Sequence, residues 1–127
     1  MEIVDEQKFN RIVDELNEYI GVEEVFLLNT DGDIIFTHGD YSISPEEAKN
    51  LLNSWKNKES SISYQNCRFV LIKKEEIQLA GKNTVDNKGN IAGSVTNEGD
   101  YLLAHIAKET DIILLEWSIL VNKLAWD

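Results

Sequence analysis

The sequence has few of the residues on which several classes of protein depend. Its 127 residues include one cysteine, Cys67, and two histidines, His38 and His105, which are far apart in the chain. A single cysteine forms no intramolecular disulfide, and this set of side chains predicts no Cys/His zinc site. One proline, with no Gly/Ser-rich stretch and no internal repeat, leaves no candidate linker. We therefore expect a single domain over residues 1–127.

Long hydrophobic runs are also missing. No apolar run approaches the ~18 residues that a bilayer span needs. Three of the first six residues are acidic and none is basic, whereas a signal peptide begins with basic and then apolar residues. These features predict a cytoplasmic chain without a transmembrane segment.

Positive charge is scarce and unevenly placed. The chain has 12 basic and 23 acidic residues, a net charge of −11, which disfavours binding to nucleic acid. Between residues 68 and 88, however, five basic residues outnumber three acidic ones, so this segment carries +2 and the remainder −13. If Arg68, Lys73 and Lys82 lie on neighbouring strands, they form a basic patch that steers an acidic protein partner. The alternative is ordinary lysines on exposed hairpin turns.

The first half of the chain shows clear helix and turn signals. Apolar residues at spacings of three and four predict an amphipathic helix over 5–20, ended by Gly21. Two apolar runs around Asp31-Gly32 predict a β-hairpin over 24–37. Ser44, followed by Pro45 and Glu47, has the pattern of a helix N-cap with a capping box. The helix that it opens is expected to run to about Trp55.

The second half predicts an antiparallel meander and a closing helix. A polar loop over 82–90 separates the third and fourth of its strands. The apolar end of the chain is too long for a strand, so we expect a helix from Thr110 to Trp126. The complete order is α-ββ-α-βββββ-α. The five strands are expected at residues 61–65, 68–73, 76–80, 91–96 and 101–107.

The closing helix has two apolar faces on a helical wheel. The wide face is large enough to cover a sheet. The narrow face, bordered by Ser118 and Asn122, either packs on a neighbouring element such as the first helix or forms an exposed protein-binding strip. The wide face holds Ile113, Leu114, Trp117, Leu120, Val121, Leu124 and Ala125. The narrow face holds Ile112, Leu115, Ile119 and Trp126.

Residues that could support catalysis are few. The two histidines are expected to be structural, and the carboxylates are scattered as solvated charge. Asp31-Gly32-Asp33 lacks the ligand spacing of a calcium loop, and Gly89 with Gly93 lacks the lysine of a phosphate loop. We expect no enzymatic activity, no metal and no cofactor.

The order and spacing of these elements resemble the profilins, a family of small actin-monomer-binding proteins, in a divergent, archaeal-type form. The similar stretches are Thr30-Asp31-Gly32, Ser44-Pro45-Glu46-Glu47, the strand pair over 62–72 with Arg68, and the crossover over 82–93. The resemblance implies an α+β fold with a central antiparallel β-sheet. In that fold the N- and C-terminal helices pack on one face, and a short middle helix packs on the other.

The resemblance also implies a function. A profilin binds actin monomers without catalysis and thereby controls nucleotide exchange and filament growth in the cytoskeleton. Carried over by position, the actin-binding residues lie on the middle strands and the outward side of the last helix. They are Arg68, Leu71, Lys73, Lys82, Asn90, Ile112, Leu115, Ser118, Ile119 and Asn122.

The site that profilins use for proline-rich peptides matches poorly. Such peptides dock on aromatic grooves. In this sequence Glu6 and Ile35 occupy the tryptophan-like positions, which leaves Phe9 and Trp126 as aromatic candidates. We expect proline-rich peptides to bind weakly or not at all, and phosphoinositide binding to be modest and strongly salt-dependent.

Two other protein classes share part of this pattern. A roadblock or longin-like scaffold for small GTPases has the same α-ββ-α opening, but usually three strands after the middle helix where we predict five. A PAS-like sensor needs an internal ligand cavity lined by a few polar groups.

Overall fold

A computed structural model of the protein describes residues 4–127. In this range helices and strands alternate in the predicted order α-ββ-α-βββββ-α. The elements are α1 (Glu6–Leu16), β1 (Val22–Leu28), β2 (Ile34–Gly39), α2 (Pro45–Lys56), β3 (Ser61–Tyr64), β4 (Cys67–Lys74), β5 (Gln78–Asn83), β6 (Gly89–Val95), β7 (Tyr101–Ile106) and α3 (Leu114–Trp126).

The seven strands form one antiparallel sheet in the order β2-β1-β7-β6-β5-β4-β3. Side chains alternate between the two faces of a strand, and both faces of this sheet carry apolar clusters. One cluster unites the sheet with α1 and α3, and the other unites it with α2. The predicted fold class, with the terminal helices on one face and the middle helix on the other, is confirmed.

A row of small side chains supports α3. Ala80, Ala92 and Ala104 are register partners on β5, β6 and β7, and all three are fully buried on the same face. Small residues let a helix approach a sheet closely, and α3 places Trp117 and Val121 in the same cluster. The helix therefore lies over β6 and its two neighbours.

The opposite face is covered by α2, which buries Leu51 and Trp55. The Trp55 ring lies against Gly93 on β6, where a Cβ atom would be only 3.1 Å from the indole. The indole N–H donates a hydrogen bond to the Glu75 carbonyl at 3.1 Å. A glycine in this strand therefore leaves room for the largest side chain of the helix.

Side chains cap α1 and α2, as the sequence predicts for Ser44. The predicted capping box is not formed, because the Glu47 carboxylate accepts from the Tyr41 hydroxyl and the Gln65 N–H instead. The Asp5 side chain accepts a hydrogen bond from the Lys8 backbone N–H at 2.8 Å, and Ser44 Oγ accepts one from the Glu47 N–H at 3.1 Å. Each bond satisfies a backbone donor that the helix itself leaves free.

Two predicted helix boundaries are wrong. The first helix ends at Leu16 rather than at residue 20, and the last begins at Leu114 rather than at Thr110. The two segments that the sequence predicts as helical ends, residues 17–20 and 110–113, bond to each other instead. The Ile20 N–H donates to the Asp111 carboxylate at 2.8 Å, and the Thr110 hydroxyl donates to the Ile20 carbonyl at 2.8 Å. These long-range bonds give the backbone N–H and carbonyl groups of Ile20 their partners, so no further helical turn is needed there.

The polar loop between β5 and β6 is also shorter than predicted. β5 extends to Asn83 and β6 begins at Gly89, so only residues 84–88 lie outside the strands. Register pairs from Gln78 with Ser94 to Asn83 with Gly89 hold the two strands together. The polar composition of the segment did not reveal this pairing, because strand pairing satisfies backbone groups whatever the side chains are.

Glu24 on β1 is a buried carboxylate. Its Oε1 accepts a hydrogen bond from the Tyr41 backbone N–H at 2.5 Å. Burial raises the pKa of the Glu24 carboxyl above its ordinary value, and the negative charges of Asp40 and Glu23 act in the same direction. The folded protein therefore holds this proton more tightly than the unfolded chain does.

This raised pKa makes stability depend on pH in a defined direction. The stabilisation from the bound proton is fully present below the ordinary value of 4.5 and is lost as pH rises through the native pKa. Glu24→Gln keeps an acceptor for Tyr41 without the charge. In urea titrations, the unfolding free energy of Glu24→Gln minus that of the wild type should therefore increase from pH ~4 to pH ~7. The exposed Glu59→Gln serves as the control, and a constant difference for Glu24→Gln would contradict the assignment.

Candidate functional site

The outer part of the sheet carries an exposed apolar surface on β4. Because α3 lies over β5, β6 and β7, β4 extends beyond the cover of the helix. Val70 and Ile72 remain 47% and 50% exposed, whereas their neighbours Phe69 and Leu71 face the cluster under α2. Half-exposed apolar side chains on an ordered strand are typical of a protein-binding surface.

Basic side chains border this apolar surface. Val70 pairs in register with Lys82 on β5, and Lys82 pairs with Asn90 on β6, so these three lie in one row. Arg68 precedes Val70 on the same face of β4, and Lys73 pairs with Ala80. Arg68 and Lys82 are exposed, and within residues 4–127 neither forms an ion pair. Their charge is available to a partner.

The exposed side of α3 continues the surface. Ile119 is 62% exposed and Leu115 about half exposed. By helical spacing both lie opposite Trp117, whose indole contacts Tyr19 in the turn that follows α1. They therefore point away from the core, and the start of α3 adjoins the strands where Leu114 and Glu116 line one surface cavity with Lys82 and Asn90. We call the combined surface the β4–α3 face, which consists of Arg68, Val70, Ile72, Lys73, Lys82, Asn90, Leu115 and Ile119.

The structure corrects the predicted position of two site residues, whereas Ile112, half-buried before the helix, lines a surface cavity with Lys82 and Asn90. Leu71 is buried against α2, and Ser118 is fully buried beneath α3. Neither of these two lies on the exposed face that the resemblance implied. The physical reason is the phase of each element: Leu71 alternates with the exposed Val70, and α3 turns Ser118 towards the sheet.

The other predicted site residues occupy accessible or partly accessible positions. Asn122 is half-buried, and its amide donates a hydrogen bond to Ser94 Oγ at 2.9 Å. Arg68, Lys73, Lys82 and Asn90 gather on the sheet as expected, beside Leu115 and Ile119 on the helix. Sequence reasoning missed Val70 and Ile72, because four consecutive apolar residues over 69–72 do not show which alternate pair faces outward.

The surface between the terminal helices has little free aromatic area. Phe9 is buried and stacks on Phe36 with ring centroids 5.3 Å apart. Beside it, the Lys8 ammonium donates to the Ala125 carbonyl at 2.9 Å and forms an ion pair with Glu98 at 2.8 Å. Of the two predicted aromatic candidates, only Trp126 is substantially exposed.

The histidines occupy different settings. His105 is buried between the rings of Tyr64 and Phe69, and its Nε2 lies 2.6 Å from the Lys88 carbonyl. Because a carbonyl only accepts, Nε2–H donates this bond. His38 is exposed on β2. Over residues 4–127 no three His, Cys, Asp or Glu side chains are grouped as metal ligands.

No helix in the described part of the chain is long and apolar enough to cross a bilayer. Such a span needs about 20 apolar residues, and α3, the most apolar of the helices, has 13 residues.

The fold is similar to that of solved profilins. Loki profilin 2, solved in a complex with rabbit actin, matches with a TM-score of 0.78 and 18% identity, over 96% of this chain and 95% of that one. Loki profilin 1, also solved with rabbit actin, matches with a TM-score of 0.76 and 19% identity, over 98% and 95%. A Schizosaccharomyces pombe profilin matches with a TM-score of 0.68 and 17% identity, over 83% and 82%.

Sequence comparison gives a much nearer relative. No family model matches the chain. Loki profilin-3 of Lokiarchaeum sp. (strain GC14_75), however, is 55% identical over 123 residues, which cover 97% of this chain and 99% of that protein. The match spans nearly the whole chain, and on this basis the chain belongs to the profilin family.

Proposed function

We propose that this profilin binds actin monomers through the β4–α3 face and regulates their polymerisation without catalysing a reaction. The observation that carries the proposal is the combination of half-exposed Val70 and Ile72 with Arg68 and Lys82, which form no ion pair within the described residues, on one side of the sheet. The relatives add support, because Loki profilins 1 and 2 have each been solved in a complex with rabbit actin.

The chemistry of the face suits an acidic protein partner. An apolar centre supplies most of the binding free energy at protein interfaces, and charges at the rim mainly accelerate encounter. Most of this chain repels acidic proteins, because its net charge is −11. The +2 segment over 68–88 supplies Arg68, Lys73 and Lys82 to the face, so an acidic partner is guided to this side of the molecule.

In this proposal the chain works as a single domain in the cytoplasm and needs no cofactor. A roadblock or longin-like scaffold is the disfavoured alternative, because five strands follow α2 in the sheet. Binding to phosphoinositides is expected to be modest and to disappear with added salt, since the chain has only 12 basic residues.

The function can be tested with pyrene-labelled rabbit actin, the partner in the two Loki complexes. Added protein should slow spontaneous polymerisation in a dose-dependent way, because bound monomers are withheld from nucleation. Native gel electrophoresis should show a complex at the same concentrations. If neither effect is seen with ~50 µM protein, which detects even weak binding, the proposed function is wrong.

Charge reversal tests the face itself. Arg68→Glu/Lys82→Glu should lower the association rate for actin monomers about tenfold at low salt and change the dissociation rate much less, because rim charges act on encounter. Arg11→Glu/Lys58→Glu, on exposed residues of α1 and the α2 end, changes the net charge equally and should have little effect. Stopped-flow fluorescence at several salt concentrations measures both rates. Equal effects of the two double variants would contradict a local basic patch.

Proline-rich peptides should bind weakly or not at all. The burial of Phe9 and the ion pair of Lys8 with Glu98 support this expectation, because they leave Trp126 without a second exposed ring nearby on α1. A thermal melt with ~1 mM oligoproline should shift the midpoint by less than about 1 °C, since a ligand that binds only the native state must raise it. A Gly/Ser peptide is the control, and a clear rise with oligoproline alone would contradict the expectation.

A further inference from the structure

The β5–β6 loop, residues 84–88, presents an exposed apolar side chain from an ordered backbone. Val85 is 89% exposed, the highest value among the large apolar side chains of the described residues. A single exposed valine is ordinary on a protein surface. What distinguishes Val85 is the number of interactions that fix the loop carrying it.

Asn83 is the centre of these interactions. Its side chain is 5% exposed, and its amide N–H donates to the Arg68 carbonyl at 2.9 Å and to the Asp86 carboxylate at 3.2 Å. Its carbonyl oxygen accepts from the backbone N–H of Asp86 at 2.8 Å and of Lys88 at 3.3 Å. One buried side chain thus joins β4 to both halves of the loop.

The far end of the loop is fixed from β7. The His105 ring donates to the Lys88 carbonyl, and Asn87 and Gly89 have positive φ angles of 56° and 82°. A Cβ atom at position 89 would lie 2.1 Å from the Ile106 carbonyl oxygen. Glycine and asparagine adopt these angles most readily, so the residue types at 87 and 89 and the contacts from β7 together hold the loop in one conformation.

The loop also continues the proposed binding surface. It joins the strands that carry Lys82 and Asn90, and Asn83 ties it to the backbone of Arg68. Lys82 and Lys88 are exposed on the two sides of Val85, and neither forms an ion pair within residues 4–127. Val85 is therefore an apolar tip with an exposed lysine three residues away on each side in sequence, while the neighbouring Asp86 carboxylate accepts a hydrogen bond from Asn83.

We propose that this loop is a preformed extension of the actin-binding face, in which Val85 enters an apolar recess with an acidic rim on the actin monomer. Asn83 is the positioning residue that holds the loop in its binding conformation. Fixing the loop before binding reduces the conformational entropy lost in the complex. The inference rests on the proposed function and names a contact and a positioning residue for it.

Dissociation kinetics test the contact. Val85→Ser should raise the dissociation rate of the actin complex about fivefold and leave the salt dependence of association unchanged, because an apolar contact acts on residence time. Ile77→Ser is the matched control, a partly exposed isoleucine between β4 and β5. If the wild type binds actin and Val85→Ser dissociates at the wild-type rate, the inference is wrong while the proposed function stands. If the wild type does not bind, the proposed function itself fails.

A double-mutant cycle tests the role of Asn83. In folded Asn83→Ala, amide hydrogen exchange at Asp86 and Lys88 should speed up at least tenfold while the sheet amides stay protected. The effect of Val85→Ser on dissociation should shrink below about twofold in this background, because a mobile loop no longer presents the valine. A fivefold effect in both backgrounds, with unchanged exchange, would overturn the positioning role. Because Val85 is almost fully exposed, Val85→Ser should fold normally. It therefore still tests the contact with actin if Asn83→Ala does not fold.

Discussion

The architecture depends on one constraint: the central strands of a single sheet are apolar on both faces, so both faces must be covered. Strands β1, β6 and β7 contribute buried side chains to both clusters. On one face the aligned Ala80, Ala92 and Ala104 provide a shallow surface on which α3 lies. On the other, Gly93 makes room for Trp55 of α2. Small residues in register therefore determine where each helix sits.

The position of α3 explains why the molecule has a binding surface at all. The row of alanines ends at β5, where Ala80 pairs with Lys73 of β4, so the helix covers the sheet only that far. Val70 and Ile72 on β4 are therefore left half exposed. Contact between these apolar side chains and water is unfavourable, so a partner that buries them gains binding free energy. Exposed basic side chains along the same rows give this surface a charge opposite to that of the chain as a whole. Because α3 covers the sheet only as far as β5, both the apolar and the basic side chains beyond it stay accessible.

The sequence was most informative where local chemistry decides local structure. Capping by Ser44, the Asp31-Gly32 turn and the amphipathic spacing of α1 predicted the correct elements, and the resemblance to profilins predicted the correct arrangement. Errors occurred where distant segments bond to each other. The Thr110 hydroxyl and the Asp111 carboxylate bond to Ile20, more than 80 residues earlier in the chain, and no local pattern indicates such a pairing.

For the candidate site, the sequence alone determined which charges and apolar residues are available, because their composition and order are explicit in the chain. It also determined the amphipathic character of the helices and the family resemblance. Only the tertiary structure decided which side chains are exposed: Val70 rather than Leu71 on β4, and Ile119 rather than Ser118 on α3. In a run such as residues 69–72 every side chain is apolar, so the direction each one faces is settled by strand register and by the position of α3, both of which depend on contacts between distant parts of the chain.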